Sequence, residues 1–315
     1  MQGIRCRGKT VGDFAVITTY FNPCGYRSRR FNYEVFSQEC RKRNAELFTI
    51  ECIFGENQSF DLDPAPNVIQ LRASSVLWQK ERLINHLVRS FIPAKYTKIA
   101  WIDCDLIFED PAWVAQASKL LDVHRVIQLF EHVDRLPRGG RVEDSIGDRS
   151  RSFASVWRDP KTVDREGWDN HGHTGYAWAA RRDLFAQTGL YDAAILGNGD
   201  DLMAHAFIGE LSSVCITENY DQDQAMHHHY HQWAKRAYDY CQGDLGYLPG
   251  TVFHLWHGDY ENRRYIERLH EMKEIGFDPF VDITIDHVGC LRWATDHPKL
   301  HRFALDYFAL RKEDG

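Results

Sequence analysis

The sequence lacks the long apolar segments of membrane and secreted proteins. No stretch reaches the roughly 18 apolar residues that a membrane-spanning helix needs, and the N-terminus has no apolar signal-peptide core. The net charge of -7 also disfavours a broad nucleic-acid-binding surface, because such a surface requires a basic face. From these absences we expect a cytoplasmic protein without a membrane span.

Closely spaced cysteine pairs are absent as well, since none of the eight cysteines belongs to a Cys-x-x-Cys motif. In a chain of 315 residues, scattered cysteines are typical of reduced thiols that pack as small apolar side chains. We therefore favour free thiols over disulfide bonds or a zinc site.

What the sequence does have is a regular alternation of strand-like and helix-like segments. The length of 315 residues allows one large α/β domain or two small ones, and 43% hydrophobic residues are enough to bury a core. Apolar, often β-branched runs predict strands at residues 14–20, 47–54, 98–102, 125–130, 176–180, 214–217 and 251–257. Helical spacing predicts helices at residues 31–43, 75–91, 113–121, 201–208, 260–275 and 297–311. This alternation indicates a Rossmann-type, mostly parallel sheet flanked by helices.

The most informative segment is an apolar strand that ends in two carboxylates, Asp103 and Asp105. Ligands of open α/β sheets bind at the carboxyl ends of the strands. Two neighbouring carboxylates repel each other, and a divalent cation removes that repulsion while it neutralises a diphosphate. The alternative is that Asp103 caps a turn and Asp105 is solvated. The position of the pair directly after a buried strand favours the metal site.

A second predicted strand ends in His254 and His257, followed by Gly258. Imidazole suits manganese and other transition cations, and a glycine lets the backbone approach a ligand closely. The alternative is that His254 is a core histidine and His257 an ordinary surface group. Four histidines also lie within residues 227–231. Adjacent histidines point in different directions, so we favour a loop lining the acceptor side over a dedicated metal site for this run.

A third polar centre follows the glycine-rich turn at residues 197–199, where Asp200 and Asp201 open a helix. Either carboxylate could simply cap this helix. The functional interpretation is that one of them faces a cleft and acts as a general base toward an acceptor hydroxyl. The polar stretch at residues 137–172 has no clear periodicity, so it is a candidate loop and lid over a bound ligand.

Four segments, in their order along the chain, resemble the GT-A class of nucleotide-sugar glycosyltransferases, specifically β-1,4-galactosyltransferase-like and family 2-like enzymes. They are the strand at residues 14–20, the carboxylate pair at residues 101–105, the acceptor-side segment at residues 175–201 and the histidine segment at residues 254–259. The resemblance spans residues 14–276. It implies a GT-A-like domain at residues 1–290 and a C-terminal helical extension at residues 291–315.

The resemblance also implies a site. A Mn2+ or Mg2+ ion is the expected cofactor, held by Asp105 and His257, with Asp103 and His254 as further ligands. Asp103 is also expected at the ribose or sugar. The residues expected at the donor are Thr18, Tyr20, Asn22, Arg72, Lys80, Asp103 and Asp105. The residues expected on the acceptor side are Gly175, Tyr176 and Trp178.

The sequence leaves two questions about this site undecided: which residue is the base, and what Lys80 and Arg82 do. The helix start reads Gly-Asn-Gly-Asp-Asp instead of a Gly-Gly-Glu-Asp type run, so the implied base is either Asp200 or Asp201. Lys80 and Arg82 lie on a helix near the donor, where a phosphate contact is one interpretation. A solvated helix face is the interpretation we favour for these two cations.

The sequence thus predicts a metal-dependent glycosyltransferase that moves a sugar from a nucleotide-sugar, expected to be a UDP-sugar, to an acceptor hydroxyl with inversion. The acceptor is left open among a glycan, a protein, a lipid and a modified nucleobase. One alternative is a nucleotidyltransferase acting on sugar phosphates, although the stretch at residues 22–30 has basic residues but a single glycine. The other is a non-catalytic sugar-binding module on the same fold.

Overall fold

The computed structural model describes residues 12–145, 147–162, 167–217, 220 and 224–315. Its strands are β1 Phe14–Tyr20, β2 Leu47–Phe54, β3 Val68–Ala73, β4 Lys98–Ile102, β5 Leu106–Phe108, β6 Val126–Gln128, β7 His132–Arg135, β8 Arg149–Arg151, β9 Ala177–Arg181, β10 Leu245–Tyr247, β11 Thr251–His254, β12 Ile283–Ile285 and β13 Leu291–Trp293.

Its helices are α1 Arg27–Lys42, α2 Lys80–Ser90, α3 Trp113–Val123, α4 Phe153–Arg158, α5 Asp183–Gln187, α6 Gly199–Ile208, α7 Val214–Thr217, α8 Ala225–Cys241, α9 Glu267–Ile275 and α10 Pro298–Leu310. Two 3-10 turns lie at Val142–Asp144 and Tyr260–Arg263. In the described part of the chain, no helix combines the length and apolarity that crossing a bilayer requires.

The central sheet has seven strands in the order β10-β6-β9-β4-β1-β2-β3. All neighbouring pairs are parallel except those of β9, which runs antiparallel to β4 and β6. The strands β1 and β4 send alternate side chains to two different cores. Both faces of these strands are buried, which explains why their sequences are continuous apolar runs. The α/β class and the largely parallel sheet predicted from the sequence are confirmed.

The reversed strand β9 places its start beside the end of β4. Ala177 pairs with Ile102, and the backbone N–H of Asp103 donates to the carbonyl of Tyr176 at 2.8 Å. The segment just before β9 therefore lies next to the carboxylate pair, although more than seventy residues of chain separate them.

A second, smaller sheet contains four strands in the order β5-β11-β7-β8. The strand β5, which directly follows the carboxylate pair, runs antiparallel to β11. Because β11 ends in the histidine segment, this pairing brings that segment to the carboxylates.

Several sequence predictions are wrong in detail. Residues 214–217 form the helix α7, because Cys215 and Ile216 are buried there and tertiary packing overrides the β-branched composition. The histidine run at residues 227–231 lies within α8 and not in a loop. The helix predicted at residues 75–91 begins only at α2, since the preceding backbone instead bonds to the carbonyl of Ile195.

Other elements were not predicted. The strands β5, β7, β8 and β10 have only three or four residues, which is too short for a periodic signal. The strand β3 was also missed. Residues 137–172, expected to be one long loop, contain β8 and α4, and the predicted helix at residues 260–275 is divided into a 3-10 turn and α9.

The C-terminal segment packs into the main body of the molecule. The hairpin of β12 and β13 pairs residues on both sides of the domain boundary that we predicted at residue 290. Phe308 of α10 stacks on Trp78, with ring centroids 6.3 Å apart, and contacts the edge of Phe21. The aromatic contacts of α10 belong to the same core cluster as those of the central sheet.

We expect Phe308→Ala to lower the free energy of unfolding by about 3–5 kcal/mol, because it leaves a cavity among these rings. Leu305→Ala on the same helix is the matched control, since Leu305 is 46% exposed, and should change stability by less than about 0.5 kcal/mol. Urea denaturation of both variants measures the difference. Equal stabilities would contradict the packing described for α10.

Candidate functional site

The centre of the candidate site is a cluster formed by Asp105, His254 and His257. Asp105 lies between β4 and β5, and the antiparallel pairing of β5 with β11 sets His254 opposite Leu106. The backbone N–H of Leu255 also donates to the carbonyl of Asp105 at 2.8 Å. Two segments that are distant in the sequence are therefore fixed side by side by backbone hydrogen bonds.

The side chains of this cluster approach one another closely. The Nε2 atom of His257 lies 3.2 Å from Oδ2 of Asp105, and that of His254 lies 3.8 Å from Oδ1. The two Nε2 atoms are 2.9 Å apart. One potential ligand atom from each residue lies within 4.8 Å of the other two. The structure thus brings together three of the four residues expected to hold a metal ion.

The charge states of these groups suit a cation. Burial raises the pKa of Asp105 to about 7, and the like charge of Asp103 contributes in the same direction. Burial lowers the pKa of His257 to about 4 and that of His254 well below its usual value. Neutral imidazoles retain a lone pair for a metal.

A divalent ion fits this set of donors. Oδ1 of Asp105 is buried and has no hydrogen-bond partner among the described residues, which is costly unless something coordinates it. Two nitrogens and a carboxylate oxygen are ligands that Mn2+ and other transition cations accept. The same ion would relieve the unfavourable burial of the carboxylate next to Asp103.

A buried carboxylate, Glu313, lies behind His257, with its Oε1 3.5 Å from Nδ1 of the imidazole. Three guanidinium groups surround it: Arg311 at 2.6 Å, Arg263 at 3.1 Å and Arg29 at 3.5 Å. Burial alone raises the pKa of Glu313, but Arg29 and its other neighbours lower it to about 2. A carboxylate near the far nitrogen of a ligand histidine orients the ring in many metal sites.

Asp103 does not join the cluster but binds a buried cation, Lys80. The Nζ atom of Lys80 lies 2.7 Å from Oδ1 of Asp103 and 2.8 Å from Oδ2 of Asp200. Lys80 and Arg82 are 5% and 8% exposed, so our interpretation of these residues as a solvated helix face is wrong. Arg82 donates to the carbonyl of Gly289 at 2.8 Å and is held away from bulk solvent.

On the acceptor side, the ring of Tyr176 lies between two imidazoles. It stacks on His173, with centroids 3.9 Å apart, and contacts His254 at 4.7 Å. Gly175 leaves room for these groups, since a Cβ there would be 3.1 Å from His173 and 3.5 Å from the carboxylate of Asp200. These contacts form a continuous path from the metal-ligand cluster to Asp200.

Trp178, also expected on the acceptor side, lies in the core. It is 1% exposed, and its Nε1 donates to the carbonyl of Thr174 at 2.8 Å. Its ring packs against Phe207 of α6. The indole therefore supports the segment that carries Tyr176 and has no exposed face for a ligand.

Three of the residues expected at the donor follow one another along and after β1. The hydroxyl of Thr18 donates to a carbonyl of β4 at 2.7 Å, and the hydroxyl of Tyr20 donates to Asp61 at 2.8 Å. The amide of Asn22 donates to the same carboxylate at 3.2 Å. Arg72 lies at the end of β3, where it bonds to loop carbonyls and covers the ring of Phe60.

The neighbouring aspartates of α6 face different surroundings. Asp200 has 20% of its side chain exposed and faces Lys80, whereas 2% of the Asp201 side chain is exposed. Burial raises the pKa of both carboxyls, that of Asp201 to about 7. Asp201 lies against two buried histidines, His171 at 3.8 Å and His205 at 3.6 Å.

Sequence reasoning missed Glu313, Arg263, Arg29 and His173. Charged residues in a polar C-terminal tail are usually solvated, so no local pattern distinguishes Glu313. The arginines come from separate segments, and only the fold shows that they share one carboxylate. His173 precedes the identified acceptor segment by two residues and could have been included on that basis.

A scan against protein-family models gave no match, and a search of curated proteins gave none either. A search of solved structures returned similar folds. A mutant of Drosophila β1,4-galactosyltransferase 7 in complex with manganese, UDP-Gal and xylobiose is 13% identical, with a TM-score of 0.33. That match covers 60% of this chain and 59% of the galactosyltransferase chain.

Two further structures cover more of the chain. A nucleotide-diphospho-sugar transferase from Desulfovibrio desulfuricans is 10% identical over 84% of this chain and 96% of its own, with a TM-score of 0.36. Mannosyl-3-phosphoglycerate synthase from Rubrobacter xylanophilus is 8% identical over 89% and 83%, with a TM-score of 0.38. With identities of 8–13% and TM-scores of 0.33–0.38, these similarities assign neither a family nor a function to this chain. The function follows from the site residues instead.

We expect Glu313→Gln to destabilise the protein by about 3–5 kcal/mol at pH 7, because it leaves buried arginines without their counter-charge. Asp306→Asn is the control: it removes an exposed ion pair with Arg302 and should change stability by less than about 1 kcal/mol. Thermal and urea unfolding measure both effects.

The difference in stability between wild type and Glu313→Gln should depend on pH. The folded-state pKa of Glu313 lies below its unfolded value, so its charge stabilises the fold fully above about pH 4.5. That contribution is lost as the pH falls toward about 2. The stability difference between wild type and Glu313→Gln should therefore shrink on acidification. A difference that grows at low pH would contradict the assigned charge.

Proposed function

We propose that the chain is a metal-dependent glycosyltransferase that moves a sugar from a nucleotide-sugar to an acceptor hydroxyl. The observation that carries this proposal is the convergence of Asp105, His254 and His257 at the carboxyl edge of the α/β sheet. Carboxyl ends of parallel strands are where such folds bind nucleotides. A divalent ion held there would neutralise the negative charge that builds up on a departing diphosphate.

The metal ligands in this proposal are Asp105, His254 and His257, with Mn2+ as the ion that suits their mixed nitrogen and oxygen donors. Nε2 of His257 faces Asp105, so it would be the atom that holds the ion. Nδ1 of the same ring lies beside Glu313 and accepts a hydrogen bond from Arg263, and these contacts would hold the orientation of the imidazole. The charge of Glu313 is maintained by its three arginines. We assign Asp103 to the ribose or sugar, since its carboxylate is already neutralised by Lys80 and is not needed by the ion.

The donor site is proposed along the ends of β1 and β4, where Thr18, Tyr20 and Asn22 lie. Tyr20 and Asn22 share the carboxylate of Asp61, which fixes the orientation of the phenol and the amide. A UDP-sugar is the donor we favour. Arg72 of β3, which is separated from β1 by β2, lies over the ring of Phe60 and offers a cation and a ring farther along the sheet.

The proposed base is Asp200. Its carboxylate is partly exposed and adjoins Gly175, on the side of the cleft that Tyr176 occupies. Asp200 takes the proton of the acceptor hydroxyl as that oxygen bonds to the anomeric carbon. The bond from the anomeric carbon to the diphosphate oxygen breaks, and its electron pair leaves with the nucleoside diphosphate. Attack opposite the leaving group inverts the anomeric centre.

The experiment that tests the proposal is product analysis after incubation of a UDP-sugar panel with Mn2+. Glycosyl transfer, or slow transfer to water, releases free nucleoside diphosphate. Release of pyrophosphate from a nucleoside triphosphate and a sugar phosphate would instead indicate a nucleotidyltransferase. Absence of any turnover, with retained sugar binding, would indicate a non-catalytic module.

We expect Asp105→Ala to abolish metal-dependent donor binding, because the carboxylate is the only anionic member of the three-residue ligand cluster. Calorimetric titration of UDP in the presence of Mn2+ measures this loss. Glu109→Ala, an exposed carboxylate after β5, is the control and should bind as wild type does. Unchanged UDP affinity in Asp105→Ala would contradict the proposed metal site.

We expect Asp200→Asn to lower kcat by about 10²–10⁴-fold, the range for loss of a general base, with a smaller effect on KM. The neighbouring variant Asp201→Asn provides the comparison, since the Asp201 side chain is buried against His171 and His205. Its kcat per folded molecule should stay within about tenfold of wild type. The reverse ranking of the two variants would assign the base to Asp201.

A further inference from the structure

The described residues contain a second cluster of potential metal ligands, apart from the first. It consists of His171 from the turn before β9, His205 from α6 and Cys215 from α7. The three side chains are 4%, 2% and 0% exposed. One ligand atom from each lies within 4.8 Å of the other two. These residues take no part in the reaction proposed above.

Hydrogen bonds orient both imidazoles of this cluster. Nδ1 of His171 lies 2.6 Å from the carbonyl of Gly172, and Nδ1 of His205 lies 3.0 Å from the carbonyl of Asp201. A carbonyl can only accept, so Nδ1 carries the proton in each ring and Nε2 keeps its lone pair. This backbone-carbonyl arrangement is the one that fixes metal-binding histidines in known sites.

The polar atoms that face this space lack partners. Nε2 of His171 and both carboxylate oxygens of Asp201 are buried without a hydrogen bond in the described part of the chain. Oδ1 of Asp201 is 3.8 Å from Nε2 of His171. Ligands about 2.0–2.3 Å from a tetrahedral zinc ion are about 3.3–3.8 Å apart. Several unsatisfied polar atoms at one buried point indicate a missing partner.

We propose that His171, His205 and Cys215 bind a zinc-class divalent cation. Two neutral imidazoles and a thiolate are ligands that zinc accepts, and the buried carboxylate of Asp201, 3.8 Å from Nε2 of His171, adds a second negative charge beside the ion. Binding releases the thiol proton of Cys215 to solvent. Because the three ligands are buried, the role of the site is structural: it ties α6, α7 and the turn before β9 together.

This site has a consequence for the proposed base. His205 lies on α6, the helix that carries Asp200 in its first turn, so an ion held by His205 would fix that helix. His171 lies two residues before His173, which stacks on Tyr176. Our sequence-based preference for free thiols over a zinc site would then fail for Cys215. The proposal does not depend on the glycosyltransferase activity, because it concerns a separate group of ligands.

The test uses Co2+ as a spectroscopic substitute for zinc in the full-length protein. A thiolate bound to Co2+ gives an intense charge-transfer absorption in the near ultraviolet, which oxygen and nitrogen ligands do not give. Wild type should show this band at about one Co2+ per chain. Cys215→Ser should lose it. Cys24→Ser, which changes an exposed cysteine, and Asp105→Ala, which changes the other cluster, should retain it.

Two further measurements keep the proposal testable if Cys215→Ser fails to fold. Zinc content of wild type, determined after dialysis against a weak chelator, should be about one per chain. X-ray absorption at the zinc edge should show one sulfur neighbour. Absence of the Co2+ band in wild type, its persistence in folded Cys215→Ser, or a zinc shell without sulfur would each overturn the proposal.

Discussion

The antiparallel pairing of β5 with β11 is the interaction on which the rest of the site depends. It fixes two neutral histidines against a buried carboxylate that adjoins a second carboxylate. Burying such a group is unfavourable unless a counter-charge meets it. In the function proposed here, a divalent cation would supply that counter-charge and would give the edge of the sheet an affinity for a diphosphate.

The surroundings of this centre are organised by charge. Lys80 separates Asp103 from Asp200, so two carboxylates can lie near one cleft without strong repulsion. Behind His257, Glu313 and its arginines form a second compensated group close to the C-terminus of the chain. The last residues of the protein therefore belong to the architecture of the site, although they lie far from the motifs in sequence.

The part of the site that could be predicted from sequence lies where a local pattern coincides with a strand end. Asp105 and His257 follow apolar runs, and such runs identify buried strands reliably. Glu313 and Arg263 could not be predicted, and neither could the burial of Lys80 between two carboxylates, because these contacts join distant segments. The two aspartates of α6 show the limit of prediction from sequence. Adjacent residues on a helix point about 100° apart, and only the fold decides which carboxylate is partly exposed.

The central claim is that Asp105, His254 and His257 hold one cation. The most direct test is an anomalous difference map from crystals of the protein grown with Mn2+ and UDP. The account predicts a manganese peak about 2.0–2.3 Å from Oδ of Asp105 and from Nε2 of both histidines, with diphosphate oxygens completing its coordination. A manganese ion bound elsewhere, with the two imidazoles still in mutual contact, would contradict it.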